Sequence, residues 1–333
     1  MPSPTIKRKY RRLLKQFSPS LRKVCNGQEL SARISSDSKR YIFQASEELY
    51  ICPMCMNAIY SESESYLDFA KQNNVLQEFS LDHYPPESVG GSKTILVCKK
   101  CNSTHGEKED HAIKTHLQMR AFLQLKDDAS FPISTKFEGI PGIYRTAARW
   151  ENGTLVQTLN IEKAPLVKKR LDENTKNGNS WSLTIHGQAP SMKTLYKALL
   201  RTAYLFCFSK WGYDFAISPT AKSIRDVLTD TLTHPIKNLG VYFTQANTFK
   251  EGISLLQTPE QKFVYLVGFP ISIQKSGIYS NVFVVVPTRN GWGFFETLPE
   301  SSERIGLTGT LYEIKSNYVE LGEYFGYSKM LTN

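Results

Sequence analysis

The residues with chemistry in them crowd into one short stretch, "LDHYPPESVGGSKTILVCKKCNSTHG", residues 81–106. It holds an Asp82-His83 pair, Pro85-Pro86, Gly90-Gly91, the pair Cys98-x-x-Cys101, and Asn102 directly after the last cysteine. A second pair, Cys52-Pro-Met-Cys55, stands upstream. Two CxxC turns can each aim two sulfurs at one point, and four thiolates make a closed tetrahedral Zn2+ site. Redox pairs or unrelated buried thiols are the alternatives, and two pairs in one chain favour structural zinc. With every position filled by thiolate, that zinc has no open site and cannot activate water. Its task is to hold Asn102, at the head of a helix, near Asp82. Asp82 and Asn102 offer hard oxygen ligands to a second, divalent ion, Mg2+ or Mn2+. His83, with an ordinary pKa of about 6.5, is suited to take a proton from water. Such an ion would steady the charge that develops on a phosphate and its leaving oxygen.

At these residues the chain resembles the HNH endonuclease family. "DHYPPES" follows that family's DHxxPxS element, "GG" its loop, and "LVCKKCNSTHG" its LxCxxCNxxKG element. "CPMC" follows the four-cysteine zinc subtype. The resemblance spans roughly residues 50–125, and its elements occur in the family's order. It implies a ββα-metal fold that hydrolyses phosphodiester bonds with one divalent ion, His83 as general base, and Asp82 and Asn102 as ligands of the ion. Two positions depart from the pattern. Lys93 stands where the family carries an Asn before the second strand, and His105 replaces the Lys of CNxxKG. We read His105 as a helix-surface residue, with a further ligand or a phosphate contact as the alternatives. A phosphate-binding P-loop in "GGSKT" fails on glycine spacing. His111 and His116, five apart, do not share a helix face, and His186 and His234 stand alone.

These groups need elements to position them. "EFSLDH" and "TILVC" read as short strands around the Pro and Gly punctuation, and residues 99–125 read as a helix. "KRYIFQ" reads as a strand and "SYLDFAKQNNVLQ" as a helix. Near residues 126–134, "KDDASFPIS", the pattern changes and a domain boundary is expected. Beyond it "GIYRTAARW" and "GTLVQTLNI" flank the turn "ENG". "SMKTLYKALLRTAYLFCFSKW" reads as a buried helix, with Cys207 inside it as a core residue. "KFVYLVGF", "SNVFVVVP" and "GWGFFETL" read as strands. The expected fold class is α+β: an N-terminal ββα-metal, zinc-stapled domain over residues 29–126 and a separate C-terminal α+β domain over residues 135–333.

The first 28 residues differ from all of this. They carry Lys7, Arg8, Lys9, Arg11, Arg12, Lys15, Arg22 and Lys23 with no acidic residue, so eight of the net ten positive charges reside there. Pro4 and Pro19 each follow a serine, which predicts two helices, the second ending at Asn26-Gly27. With few apolar residues to offer a core, the segment reads as a basic arm whose removal spares the fold. Such an arm suits a polyanion, and Lys7, Arg8, Lys9, Arg11, Arg12 and Lys15 are its expected nucleic-acid contacts. A solvated tail is the alternative. Cys25 ends the arm without a visible partner.

Composition excludes some classes. No run reaches the roughly 18 apolar residues of a membrane span, and the basic N-terminus lacks a signal peptide's apolar stretch. A cytoplasmic protein with reduced thiols is expected, acting on nucleic acid, with double-stranded DNA the expected polymer. The C-terminal domain is left for recognition, assembly with a partner or regulation. Restriction or anti-phage defence is the setting the resemblance suggests by analogy. A non-catalytic zinc module that binds nucleic acid or protein explains the cysteines and the arm, but not Asp82, His83 and Asn102 together. An enzyme seated in the C-terminal half ranks last, because no acid-base constellation is visible there.

Overall fold

The computed structural model describes residues 4–25, 30–33, 40–43, 48–72, 77–127, 129–138, 140–157, 165–177, 183–187, 189–230, 240–244, 251–257, 263–273, 277–288 and 310–313. The fold is mixed α+β.

The basic segment forms one helix, α1 (Pro4–Cys25), with Pro19 inside it. The two-helix expectation is therefore corrected. A proline at position 19 deprives the Lys15 carbonyl of its helical donor, but Lys15 and Pro19 both lie on the exposed side, where water can serve. The opposite side holds the helix together across that gap. Tyr10, Leu13, Leu14, Phe17, Ser18 and Leu21 are buried at helical spacing. The Ser18 hydroxyl also donates to the Leu49 carbonyl at 3.0 Å. The segment is thus no detachable arm, since its apolar face belongs to the main core.

A small hairpin, β1 (Leu30–Arg33) with β2 (Arg40–Phe43), is followed by a second, β3 (Leu49–Ile51) with β4 (Ile59–Ser61). The first CxxC sits at the turn of the second. Helix α2 (Glu64–Gln72) comes next, its Tyr66 amide donating to Ser63 Oγ. Then β5 (Phe79–His83) pairs antiparallel with β6 (Thr94–Cys98), which runs straight into α3 (Lys99–Leu123). Registers of Asp82 with Ile95 and His83 with Thr94 place the Asp-His pair at the loop end of the hairpin, and Cys98, opposite Phe79, at its open end.

The rest of the chain builds two sheets and a central helix. Strands β7 (Ser130–Phe137), β8 (Tyr144–Glu151) and β9 (Thr154–Gln157) are followed by α4 (Pro165–Asn177) and β10 (Leu183–Gly187), and the sheet order is β10-β7-β8-β9. Helices α5 (Met192–Trp211), α6 (Tyr213–Ala216) and α7 (Pro219–Leu228) precede β11 (Val241–Thr244), β12 (Gly252–Gln257), β13 (Phe263–Ile273), β14 (Ile278–Pro287) and β15 (Thr310–Glu313), ordered β11-β14-β13-β12-β15. The stretch taken for a boundary contains the start of β7, whose inward residues Phe131, Ile133, Thr135 and Phe137 alternate as a half-buried strand requires. "GWGFFETL" and His234 lie outside the described residues.

One core joins the residues on either side of that expected boundary. Helix α5 is buried along nearly its whole length, including Leu199, Ala203, Tyr204, Cys207 and Phe208. It packs against α3, β13 and β14 and shares with α1 and β6 a single cluster running from Tyr10 to Val286. Phe17 of α1 stacks on Phe208 of α5 with centroids 4.8 Å apart. The Tyr213 hydroxyl closes the edge of β3, donating to the Ile51 carbonyl at 2.6 Å and accepting from the Ile51 amide at 2.7 Å.

Candidate functional site

The four cysteines converge. The ligand atoms of Cys52, Cys55, Cys98 and Cys101 all lie within 4.8 Å of one another. Cys55 Sγ and Cys98 Sγ are 3.9 Å apart. Bonds of about 2.3 Å in a tetrahedron predict an S···S edge of about 3.8 Å, so the set fits zinc. Local backbone aims the sulfurs. The Met56 amide donates to the Cys52 carbonyl at 2.8 Å, and Met56 takes a left-handed φ of 55° to finish the turn. Cys98 caps α3 with its sulfur, accepting from the Cys101 amide at 3.5 Å, and the Cys98 amide donates to Cys52 Sγ at 3.3 Å. Burial pushes the Cys52 thiol up, whereas hydrogen bonds from neighbouring thiols pull Cys55 down. A metal held by these four sulfurs would tie the β3–β4 turn to the β6–α3 junction, next to Asn102.

Asn102 lodges against β5. Its side-chain amide donates to Ser80 Oγ at 3.0 Å and to the Leu81 carbonyl at 3.4 Å. Residues 102, 105 and 109 fall on one face of α3, and strand alternation puts Ser80 and Asp82 on one face of β5. Asp82 is buried, with 6% of its surface exposed. Its carboxylate is ion-paired with the Arg201 guanidinium of α5, which also donates to Glu109 Oε2 at 3.5 Å. Glu109 in turn meets His105 Nδ1 at 3.0 Å. The His105 side chain is only 11% exposed. His105 is thus part of this buried network and not the helix-surface residue expected from sequence.

Burial pushes the Asp82 carboxyl up from its ordinary value, and Arg201 pulls it partly back. Burial likewise lifts Asp110 to about 6. Burial opposes the charge on Arg201, but Asp82, Glu109 and Asp110 more than offset it and hold the guanidinium firmly protonated. The two expected ligands of a divalent ion are therefore otherwise engaged. Asp82 already faces a cation, and Asn102 turns its NH2 to the strand. As they stand, these residues do not fit a divalent ion.

His83 looks the other way, as strand alternation demands. Its side chain is 30% exposed, and Nδ1 lies 4.0 Å from Glu87 Oε2. The loop that follows is tightly built. The Tyr84–Pro85 peptide is cis, the Tyr84 amide donates to the Lys93 carbonyl at 3.1 Å, and Gly90 takes φ 89°. A Cβ on Gly91 would sit 1.6 Å from the Pro85 carbonyl oxygen, so only glycine fits. Lys93, at the position of the family Asn, is ion-paired with Glu251 and lies 4.7 Å over the Phe206 ring. It anchors the loop to the C-terminal half.

Compared with known proteins, the chain matches no protein-family model, no curated protein and no solved structure. The site therefore has to be read on its own geometry. The sequence reading missed Arg201 and Glu109. Arg201 left one signal, a charge in the middle of an otherwise apolar helix.

On α1, Lys7, Arg8, Lys9, Arg11, Arg12 and Lys15 are exposed. Arg11 is held by Glu62 at 2.6 Å. No described helix is long and apolar enough to cross a membrane. His116 is buried against Phe243, and neither ring nitrogen has a hydrogen-bond partner among the described residues. His111 bonds Thr115 at 3.2 Å, and His186 is exposed on β10.

Proposed function

We propose that this chain is an HNH-type endonuclease that hydrolyses phosphodiester bonds in nucleic acid, with zinc as a structural staple. One observation carries the reading. An accessible imidazole, His83, ends the first strand of a hairpin whose second strand leads through a cysteine-capped helix start to Asn102, lodged against that first strand. In this reading His83 takes the proton from the attacking water. Asp82 neighbours it on the buried face, and the exposed cations of α1 hold phosphates without reading sequence. Double-stranded DNA is the proposed polymer. Restriction or anti-phage defence is the proposed setting, by analogy with the resemblance alone.

The second reading, a non-catalytic zinc module that binds nucleic acid, draws support from the Asp82–Arg201 pair, which answers the carboxylate without any ion. A plasmid-cleavage assay with Mg2+ or Mn2+ separates the two. His83→Ala is expected to lower cleavage by about 10²–10⁴-fold, the usual contribution of a general base, while zinc content and DNA binding persist. Cleavage by the pure variant at the wild-type rate would remove His83 from the mechanism. No cleavage by the wild type with either ion would favour the binding module.

A further inference from the structure

The cations of α1 border a groove. Helical spacing sets Lys7, Arg11, Lys15, Arg8 and Arg12 in one continuous sector of the helix, with Lys7 and Arg11 at the edge nearest its buried face. That edge, together with β4, α2 and the start of β5, walls a groove of about 550 Å3, a size common among small-ligand sites. The lining is partly aromatic. Tyr60 and Phe79 are half-buried, with ring centroids 5.5 Å apart, and Leu67 of α2 adds further apolar surface. The Tyr10 hydroxyl, donating to the Phe79 carbonyl at 2.7 Å, ties the helix to this wall. Two carboxylates also line the groove, and each already has a cation. Glu62 meets Arg11 at 2.6 Å, and Glu78 meets Lys99 at 2.7 Å. Lys7 has no ion partner among the described residues, so the uncompensated charge of the groove is positive. The Gln77 side-chain amide lines the groove without a hydrogen-bond partner among the described residues.

These groups call for a ligand of three parts. Half-buried rings offer surface to a flat apolar group. An amide and carboxylate oxygens suit the N–H groups on a heteroaromatic edge. A lysine at the rim suits an anion. A nucleotide in a strand has all three, whereas inorganic phosphate would leave the rings empty and an apolar peptide would leave Lys7 unanswered. Resting on the reading that α1 holds nucleic acid, we infer that this groove takes one unpaired base from the strand whose phosphates α1 binds. The protein then prefers DNA carrying an unpaired nucleotide to a fully paired duplex. A base must leave its stack to enter such a groove, and this costs least where the base has no partner. Stacking of one base on an aromatic side chain typically contributes about 5- to 150-fold in affinity.

The test measures binding of the zinc-loaded full chain to three labelled DNA duplexes by fluorescence anisotropy. One is fully paired, one carries a single unpaired thymidine, and one carries an unpaired abasic site in its place. The abasic duplex keeps the extra phosphate and lacks only the base. Wild type is expected to bind the thymidine-bearing duplex at least about fivefold more tightly than the abasic one. Tyr60→Leu keeps an apolar side chain but removes the ring. It should bring those two affinities together and leave that for the fully paired duplex unchanged. Should Tyr60→Leu fail to fold, Leu67→Glu decides. Leu67 is half-buried on α2, and a carboxylate there enters the groove without removing a ring, so the same preference should vanish. A preference for the base that survives in the folded variants overturns the inference. If wild type binds all three duplexes with a salt-dependent affinity but no preference, the nucleic-acid reading stands and the inference alone falls. If it binds none of them, that reading falls and takes the inference with it.

Discussion

Replacing the exposed cations of α1 should change how the protein responds to salt, and the size of the change can be worked from the helix. The variant carries Gln at Lys7, Arg8, Lys9, Arg12 and Lys15, all exposed, and keeps Arg11, which Glu62 holds. Gln preserves helix propensity, and no buried side chain is touched. Residues 8, 12 and 15 follow one another along one side of the helix over about 10 Å. Duplex DNA presents one negative charge per roughly 1.7 Å of its axis, so three of these cations can find phosphates together. Losing three phosphate contacts should flatten the slope of log affinity against log salt by about 2.7. Between 50 and 200 mM salt the wild type should then lose about 40-fold more affinity than the variant. Fluorescence anisotropy of a labelled duplex across that range reads both slopes, with circular dichroism to verify that α1 is intact. Parallel lines of equal slope would refute the interface. Deleting the segment is the wrong experiment. Leu13, Leu14 and Phe17 are 2–3% exposed, and burying each such side chain contributes about 1.5–3 kcal/mol. Their loss would rival a domain's whole stability of about 5–15 kcal/mol, and unfolding would mask any effect on binding.

Other outcomes follow from the same geometry. The protein should hold about one zinc per chain. Cys52→Ser, Cys55→Ser, Cys98→Ser or Cys101→Ser should lose that zinc and unfold the β5–β6–α3 region, as elemental analysis and circular dichroism would record; a folded, metal-free variant would contradict the staple. Gly91→Ala should destabilise by more than about 2 kcal/mol, because its Cβ meets the Pro85 carbonyl oxygen, and a wild-type denaturation midpoint would show that the loop has another solution. Burial lowers the His116 pKa to about 4. The unfolded chain therefore binds this proton first, and stability should fall as pH drops from about 6.5 to 4, by about 2 kcal/mol after allowance for partial solvation. His116→Leu should flatten that portion of the pH-stability curve measured by urea unfolding, and an unchanged curve would place the acid sensitivity elsewhere.

What could be read in advance was what depends on near neighbours. The cysteine pairs announce their own convergence, because four sulfurs in tight turns have few other uses. The strands 79–83 and 94–98 and the helix after them are bounded by residues that leave little choice. The apolar run 192–211 could only be a buried helix. The failures arise where a residue's meaning depends on what packs against it from afar. Eight cations on α1 drew attention from Tyr10, Leu13, Leu14, Phe17 and Leu21, whose spacing already described a buried stripe. A proline at 19 looked like a break because its tolerance depends on which side of the helix faces water. His105 seemed exposed until Glu109, itself bound by Arg201, drew it into the buried network. Nothing local links Arg201 to Asp82, which is 119 residues away. The expected boundary near 126–134 assumed that a change of pattern means a change of core, yet α5 joins both sides.

The Tyr213–Ile51 pair has a consequence for the order in which this chain can become itself. A ribosome releases residue 51 long before residue 213, and until then the Ile51 amide and carbonyl that Tyr213 serves have only water to bond. The Phe208 ring that stacks on Phe17 is equally late. Nascent chains fold as units emerge, at about 5–20 residues per second, so for about 5–20 seconds the Asp82–Asn102 region would exist without the helix that seats it. The Asp82–Asn102 segment is made early and completed late. A gene fragment ending before residue 192 would therefore encode the motif residues without α5, which seats them. Recombination could not pass this region to another protein as a self-sufficient cassette.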